Sequence, residues 1–178
     1  MEEQFEFFWD GPFSQWYPSQ FSFEKMGFNC AEQFMMFSKS VFFRDYSNAN
    51  AVMKSNRPRE QKALGRQTQN FNVDKWSGVA KDIVYVGSYC KYTQDDRLKE
   101  ILMATKGITL VEASPYDKIW GIGLAKSDTK AQQRSTWQGK NWLGEVLTQV
   151  REDLIASKRN EIAFKLCQHL VDVHRSNK

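Results

Sequence analysis

The sequence predicts a mainly α-helical chain with a small antiparallel β element, arranged as a single domain. Three observations carry that expectation. Apolar residues recur at helical spacing over most of the 178 residues. The aromatic-rich, strand-like runs are short and few. No internal repeat or low-complexity stretch divides the chain, and its length suits one domain. The span is therefore read as residues 1–178, with 156–178 a C-terminal helical extension.

The elements follow in order. Residues 5–9 and 21–28 cluster aromatics and read as short strands, punctuated by Gly11-Pro12 and Tyr17-Pro18-Ser19. A helix is predicted from about Cys30 to Phe43, with Cys30, Phe34, Phe37 and Val41 at helical spacing and Asn29 as its N-cap. A second covers about Ser47 to Ser55. Pro58 suits the first turn of a third, which Gly65 would end. In 74–93, Ile83-Val84-Tyr85-Val86 has strand propensity, yet Trp76, Val79, Ile83 and Val86 keep a helical period, so helix is predicted. Arg97 to Thr105 is helical. Thr109 to Glu112 and Ile119 to Leu124 read as short strands, and the polar run Lys126 to Gly139 as a long surface loop or lid. Leu143, Val146, Leu147, Val150 and Leu154 mark a long helix after Gly139-Lys140-Asn141, and Ile162 to Val173 a final amphipathic one.

Composition bounds the chemistry. Hydrophobic residues make up 41% and aromatics 14%, enough for a substantial core, and no run of roughly 18 apolar residues would span a membrane. The N-terminal Met-Glu-Glu-Gln lacks the basic start and apolar stretch of a signal peptide. A soluble, cytoplasmic protein is expected. Cys30, Cys90 and Cys167 are odd in number and far apart, so buried reduced thiols are expected rather than a disulfide framework or a zinc site. His169 and His174 have the wrong spacing for a shared metal, and with no other histidine a His-based nucleophile relay has no support. The net charge of +4 permits a phosphate-bearing ligand or nucleic acid without requiring one.

Against that background Glu32 and Lys39 stand out. They lie seven residues apart in a stretch that is otherwise almost wholly apolar, close to two helical turns, so both side chains leave one helix face. Two readings fit. One is an ion pair at a helix edge with the lysine stem snorkelling. The other is a pocket in which a desolvated carboxyl exchanges a proton and a lysine, losing proton affinity for the same reason, attacks a carbonyl-like carbon to form a Schiff base.

Three further segments admit a functional and a structural reading. In Ser114-Pro115-Tyr116-Asp117-Lys118-Ile119-Trp120-Gly121-Ile122-Gly123, the glycines allow a ligand close to the backbone and Trp120 offers a stacking face; alternatively this is a tight turn with Trp120 in the core. In Trp137-Gln138-Gly139-Lys140-Asn141-Trp142-Leu143-Gly144, Asn141 is either an N-cap or part of a phosphate site at a helix start, with Lys140 beside it; no Walker sequence is present. Arg66 and Lys91 are candidate phosphate contacts or solvated charges.

Taken together and in this order, the segments resemble the NADAR family, also called YbiA-like. The resemblance runs through residues 5–155: Phe13-Ser14-Gln15-Trp16-Tyr17-Pro18, Cys30-Ala31-Glu32-Gln33-Phe34-Met35-Met36, Lys39, Leu64-Gly65-Arg66, Trp76, Lys91, Leu110-Val111-Glu112-Ala113-Ser114-Pro115, Asp117, Trp120-Gly121-Ile122-Gly123, and Trp137 to Gly144, with Val150-Arg151 also in keeping. The resemblance implies a mostly α-helical domain acting as an N-glycosidase, a hydrolase of N-glycosyl bonds, without metal or redox cofactor. It implies a nucleotide-like small substrate, such as a ribosylamine intermediate of riboflavin biosynthesis, or ADP-ribosylated guanine in nucleic acid. Glu32, Lys39 and Asp117 are the catalytic residues it implies. Ser14, Trp16, Arg66, Trp76, Lys91, Trp120, Gly121, Lys140 and Asn141 are the substrate-binding ones. The chain departs from the family at Gln15, where Asn is frequent, and at Gln33, where many members have His. The competing reading is a non-catalytic module that binds ADP-ribose or another NAD-derived ligand. A nucleic-acid-binding protein built on aromatics and basic residues ranks behind both, because acids are interspersed with the lysines and arginines.

Overall fold

The structure, a computed structural model, describes residues 3–177. Met1, Glu2 and Lys178, which belong to the expected domain span and in part to the N-terminal stretch read for a leader, lie outside the described residues. The mainly helical class with a small β component is what the chain adopts, and no described helix is long and apolar enough to cross a membrane. By contacts the chain divides into two compact units, Met1–Ser14 with Asp96–Arg159, and Gln15–Asp95 with Asn160–Lys178.

The second unit is organised around α1 (Ala31–Phe42), buried at every position from Ala31 to Val41. Around it pack α2 (Tyr46–Lys54), α3 (Pro58–Arg66), α5 (Ala80–Thr93), α8 (Glu161–Ser176) and the β2–β3 hairpin (Phe21–Phe23, Met26–Phe28). The hairpin turns through Glu24 and Lys25, both at positive φ as a two-residue primed turn demands, and lays Phe21 and Phe28 against Phe34. Two glycines set how closely helices approach α1. A Cβ at Gly87 would stand 2.8 Å from Phe34, and one at Gly65 1.9 Å from the Met36 sulfur. Gly65 therefore lies inside α3, where it seats the helix, rather than ending it. The expected 74–93 helix is two: a short α4 (Val73–Ser77) capped by the Asn72 side chain, then α5 after a break at Gly78-Val79. The N-cap of α1 is Cys30 and not Asn29; the Asn29 amide instead donates to Gln33 Oε1 at 2.8 Å. The terminal helix α8 packs on α1 and α5, with His174 edge-on to Phe37.

The first unit pairs β1 (Phe5–Phe8) with β4 (Thr109–Glu112) in parallel, an arrangement the sequence reading did not anticipate, and adds α6 (Asp96–Met103) and α7 (Trp142–Ile155). Val111, Ile122, Leu124 and Ala131 form its buried centre, with Phe5, Phe7 and Trp137 packed on it. Residues 119–124 make no strand, contrary to expectation. Their carbonyls are occupied otherwise: those of Ile119, Trp120 and Gly121 accept from the amides of Trp142, Leu143 and Asn141, so this segment satisfies the start of α7 instead of extending a sheet. The 126–139 stretch carries two 3-10 turns, Thr129–Gln132 and Arg134–Thr136.

Candidate functional site

The i, i+7 spacing on α1 places Glu32 and Lys39 on one face, and both side chains are buried, at 5% and 9% exposure. Helical lysines lean toward the N-terminus, which carries the Lys39 amine back along the face toward Glu32. The two groups sense one another. Burial holds the Lys39 proton affinity below that of an ordinary lysine, the negative charge of Glu32 opposes this, and the positive charge of Arg66 adds to it. Aromatic rings complete the surroundings of the amine. Its nitrogen lies 4.2 Å from the centroid of Phe71 and 5.8 Å from that of Trp76. Phe71 is 46% exposed, whereas Trp76 is nearly buried.

The turn bearing Glu32 is held by neighbours from distant sequence. The Glu32 amide donates to the Gln15 carbonyl at 3.0 Å. Gln33 clips the start of α1 to the end of α2, with Nε2 donating to the carbonyls of Val52 and Ser55. Gln33 is thus a structural amide. Gln15 directs its side-chain amide at the Met35 sulfur. Beside this turn a cleft of about 360 Å3 opens among Trp16, Pro18, Asn29, Cys30, Asn56 and Pro58; Trp16 is partly exposed there, with the Lys62 ammonium 5.9 Å from its ring.

Lys91, on α5, has gone inside. It is 2% exposed, with Tyr17 and Tyr92 rings 5.7 and 5.1 Å from its nitrogen. Burial lowers its pKa to about 7, with Cys30 opposing, and burial raises the Cys30 thiol to about 11. Arg66 by contrast is exposed at the end of α3.

The remaining sequence-predicted residues, Ser14, Asp117, Trp120, Gly121, Lys140 and Asn141, belong to the other unit. There the turn around Asp117 and the start of α7 come together. Asp117 Oδ1 accepts from the amides of Ile119 and Trp120 at 2.9 and 2.8 Å, organising the turn. Gly121 leaves no room for a side chain, since a Cβ would lie 2.9 Å from the Glu112 carbonyl. Trp120 packs edge-on against Trp142, over which the exposed Lys140 ammonium also sits at 5.1 Å. Ser14 ends the short 3-10 turn Gly11–Phe13. Asn141 occupies the N-cap position of α7 in a left-handed conformation, but its side chain does not cap. It bridges to β4, donating to the Leu110 carbonyl at 2.9 Å and accepting from the Glu112 amide at 3.0 Å. Arg151 is likewise structural, its guanidinium donating to the Thr105 and Ile108 carbonyls.

Phe71 is the residue that sequence reasoning missed. It lies in a polar loop without periodicity, and its only signal is a large apolar side chain just ahead of the Asn72 cap.

Comparison with known proteins places this geometry in context. The NADAR domain matches residues 7–155. Protein irg-1 of Caenorhabditis elegans is 40% identical over 158 residues, covering 80% of this chain and 74% of that protein. An N-glycosidase of Acanthamoeba polyphaga mimivirus is 39% identical over 146 residues, covering 79% and 86%. The NMR structure of the E. coli protein YbiA superimposes with a TM-score of 0.72 over 88% of each chain at 22% identity, a likeness of fold. With a family match over most of its length, this chain belongs to the NADAR domain family.

Proposed function

We propose that this protein is a hydrolase of N-glycosyl bonds, with Glu32 as acid and Lys39 as nucleophile. The observation that carries the reading is the pairing, on one buried face of α1, of a carboxyl group with an amine whose proton affinity burial has lowered. The N-glycosidase name of the mimivirus relative supports the reaction class. The substrate is an N-riboside, either a phosphorylated ribosylamine of the kind found in riboflavin biosynthesis or an ADP-ribosylated guanine.

The chemistry balances with these two groups and water. The Lys39 ammonium passes its proton to the Glu32 carboxylate, and the neutral amine attacks the anomeric carbon. The bond to the base breaks, and its electrons leave with a proton supplied by Glu32. The carboxylate then takes a proton from the new ammonium. The nitrogen lone pair opens the sugar ring, and the ring oxygen collects that proton, leaving an iminium on Lys39 beside the Glu32 carboxylate. Water adds to the iminium carbon with its proton passing to the carboxylate, and release of the aldehyde sugar restores the amine. Asp117, in the other unit, uses one carboxylate oxygen within its own turn and keeps the second for a hydroxyl donor. Within the unit that carries Glu32 and Lys39, the exposed Arg66 is assigned to phosphate, Trp16 to the base, and Trp76 and Lys91 to shaping the substrate's surroundings.

Incubation with both substrate classes, followed by borohydride and mass spectrometry, tests the proposal. A hydride-reduced sugar adduct on Lys39, absent from Lys39→Ala, is expected. An active Lys39→Ala protein overturns the nucleophile assignment. Tight ADP-ribose binding without any product would instead establish the ligand-binding reading.

A further inference from the structure

The Lys39 nitrogen has aromatic faces for neighbours, and one of them is conspicuously placed. Phe71 is held for this position rather than by the core. The loop that carries it is tied down by the Gln69 amide on Asp45 at 2.9 Å, turns through Asn70 in a left-handed conformation, and is followed at once by the Asn72 cap. Phe43 meets its ring edge-on at 5.4 Å. Nearly half of Phe71 nonetheless stays in water, so burial of apolar surface alone accounts poorly for a phenyl group there. An aliphatic side chain would screen the amine as well. What a ring adds is the negative charge of its face, which attracts a cation within about 6 Å of its centroid. Both ring distances at Lys39, 4.2 Å for Phe71 and 5.8 Å for Trp76, meet that condition.

We propose that Phe71, seconded by Trp76, is a cation seat for the Lys39 nitrogen, stabilising the ammonium in the resting protein and the iminium during turnover. The second half rests on the Schiff-base reading above. The seat serves both states, because the iminium nitrogen is the same atom as the ammonium nitrogen. The ring contacts made by the ammonium are therefore assigned to the iminium as well. Glu32 supplies a negative charge along the helix, and the aromatic faces supply a partner that cannot take the proton away. Phe71 thus holds the charged intermediate without competing for its proton.

Replacing Phe71 with 4-fluoro-, 3,5-difluoro- and 3,4,5-trifluorophenylalanine drains the face of negative charge stepwise while nearly preserving its shape. Two quantities are read. One is the Lys39 titration, by 15N NMR of lysine-labelled protein with Lys39→Ala to assign the signal. The other is the fraction of protein trapped by borohydride with ribose 5-phosphate, read at a pH above the Lys39 titration, where the resting amine is neutral and only the iminium feels the ring. Both are expected to fall stepwise along the series, the Lys39 proton affinity and the trapped fraction each by about two- to thirtyfold in total. Phe71→Trp should restore them and Phe71→Leu should resemble the trifluoro variant. A flat Lys39 titration across the series overturns the seat, since a packing role would be insensitive to fluorine. A graded titration with a flat trapped fraction overturns the iminium half alone. Absence of any adduct on the unsubstituted protein instead defeats the Schiff-base reading and the iminium half with it, while the titration still decides the ammonium seat.

Discussion

Lys91→Met should make the protein more stable near neutrality and remove most of a specific pH dependence. The lysine is 2% exposed, and its pKa stands at about 7 against an ordinary 10.5 because burial disfavours the charged form. The unfolded chain therefore binds a proton at Lys91 that the folded chain resists between pH 7 and 10.5. Stability rises with pH wherever the unfolded state holds more protons, so the wild-type protein should gain stability through that window. The gap corresponds to about 5 kcal/mol at about 1.4 kcal/mol per tenfold change in proton affinity. Between pH 6 and 9.5 the gain from this group is about 3 kcal/mol. Methionine keeps the length of the side chain and carries no charge, and so lacks the penalty at every pH. Urea unfolding of both proteins at pH 6, 7.5 and 9.5 isolates the contribution, since every other titrating group is common to the two. The advantage of the variant should be largest at pH 6 and shrink by about 3 kcal/mol at pH 9.5. An advantage that is constant with pH, or a variant less stable at pH 6, refutes the account of Lys91 as a buried cation carrying a desolvation cost.

Other residues give equally direct tests. Glu32→Gln should lower the rate of N-glycoside cleavage by about 10²- to 10⁴-fold while leaving the circular dichroism spectrum unchanged; a smaller loss would remove the proton-transfer role. Arg66→Ala removes a positive charge that lowers the Lys39 proton affinity, so the pH profile of borohydride trapping should move to higher pH, and a shift to lower pH would contradict the electrostatics. Gly144→Ala would put a Cβ 2.0 Å from the Leu110 carbonyl, and thermal melting should show a loss of about 1–3 kcal/mol as α7 is forced off β4. Asn141→Ala strands the Leu110 carbonyl and the Glu112 amide, and chemical unfolding should register about 2–5 kcal/mol.

The helices were legible in the sequence because their determinants are local. Apolar periodicity located α1, α7 and α8 to within a few residues, and the covalent geometry of a helix alone put Glu32 and Lys39 on one face. The turn around Asp117 was legible as a turn, though not its use of carbonyls to start α7. Residues 119–124 read as a strand because β-propensity reports apolar, half-buried character, which an irregular buried segment shares. Asn141 read as a helix cap by position and type, yet the proximity of β4 offered its amide two better partners.

By itself, then, the sequence determined the helical class and the acid–amine pair, since backbone periodicity needs no distant partner to operate. Only the tertiary structure decided that Lys91 lies inside, and that a loop phenyl ring from Phe71 covers the Lys39 nitrogen. Burial and ring contact depend on which segments pack together, and no local spacing encodes the meeting of side chains 32 residues apart on α1 and in the loop before α4.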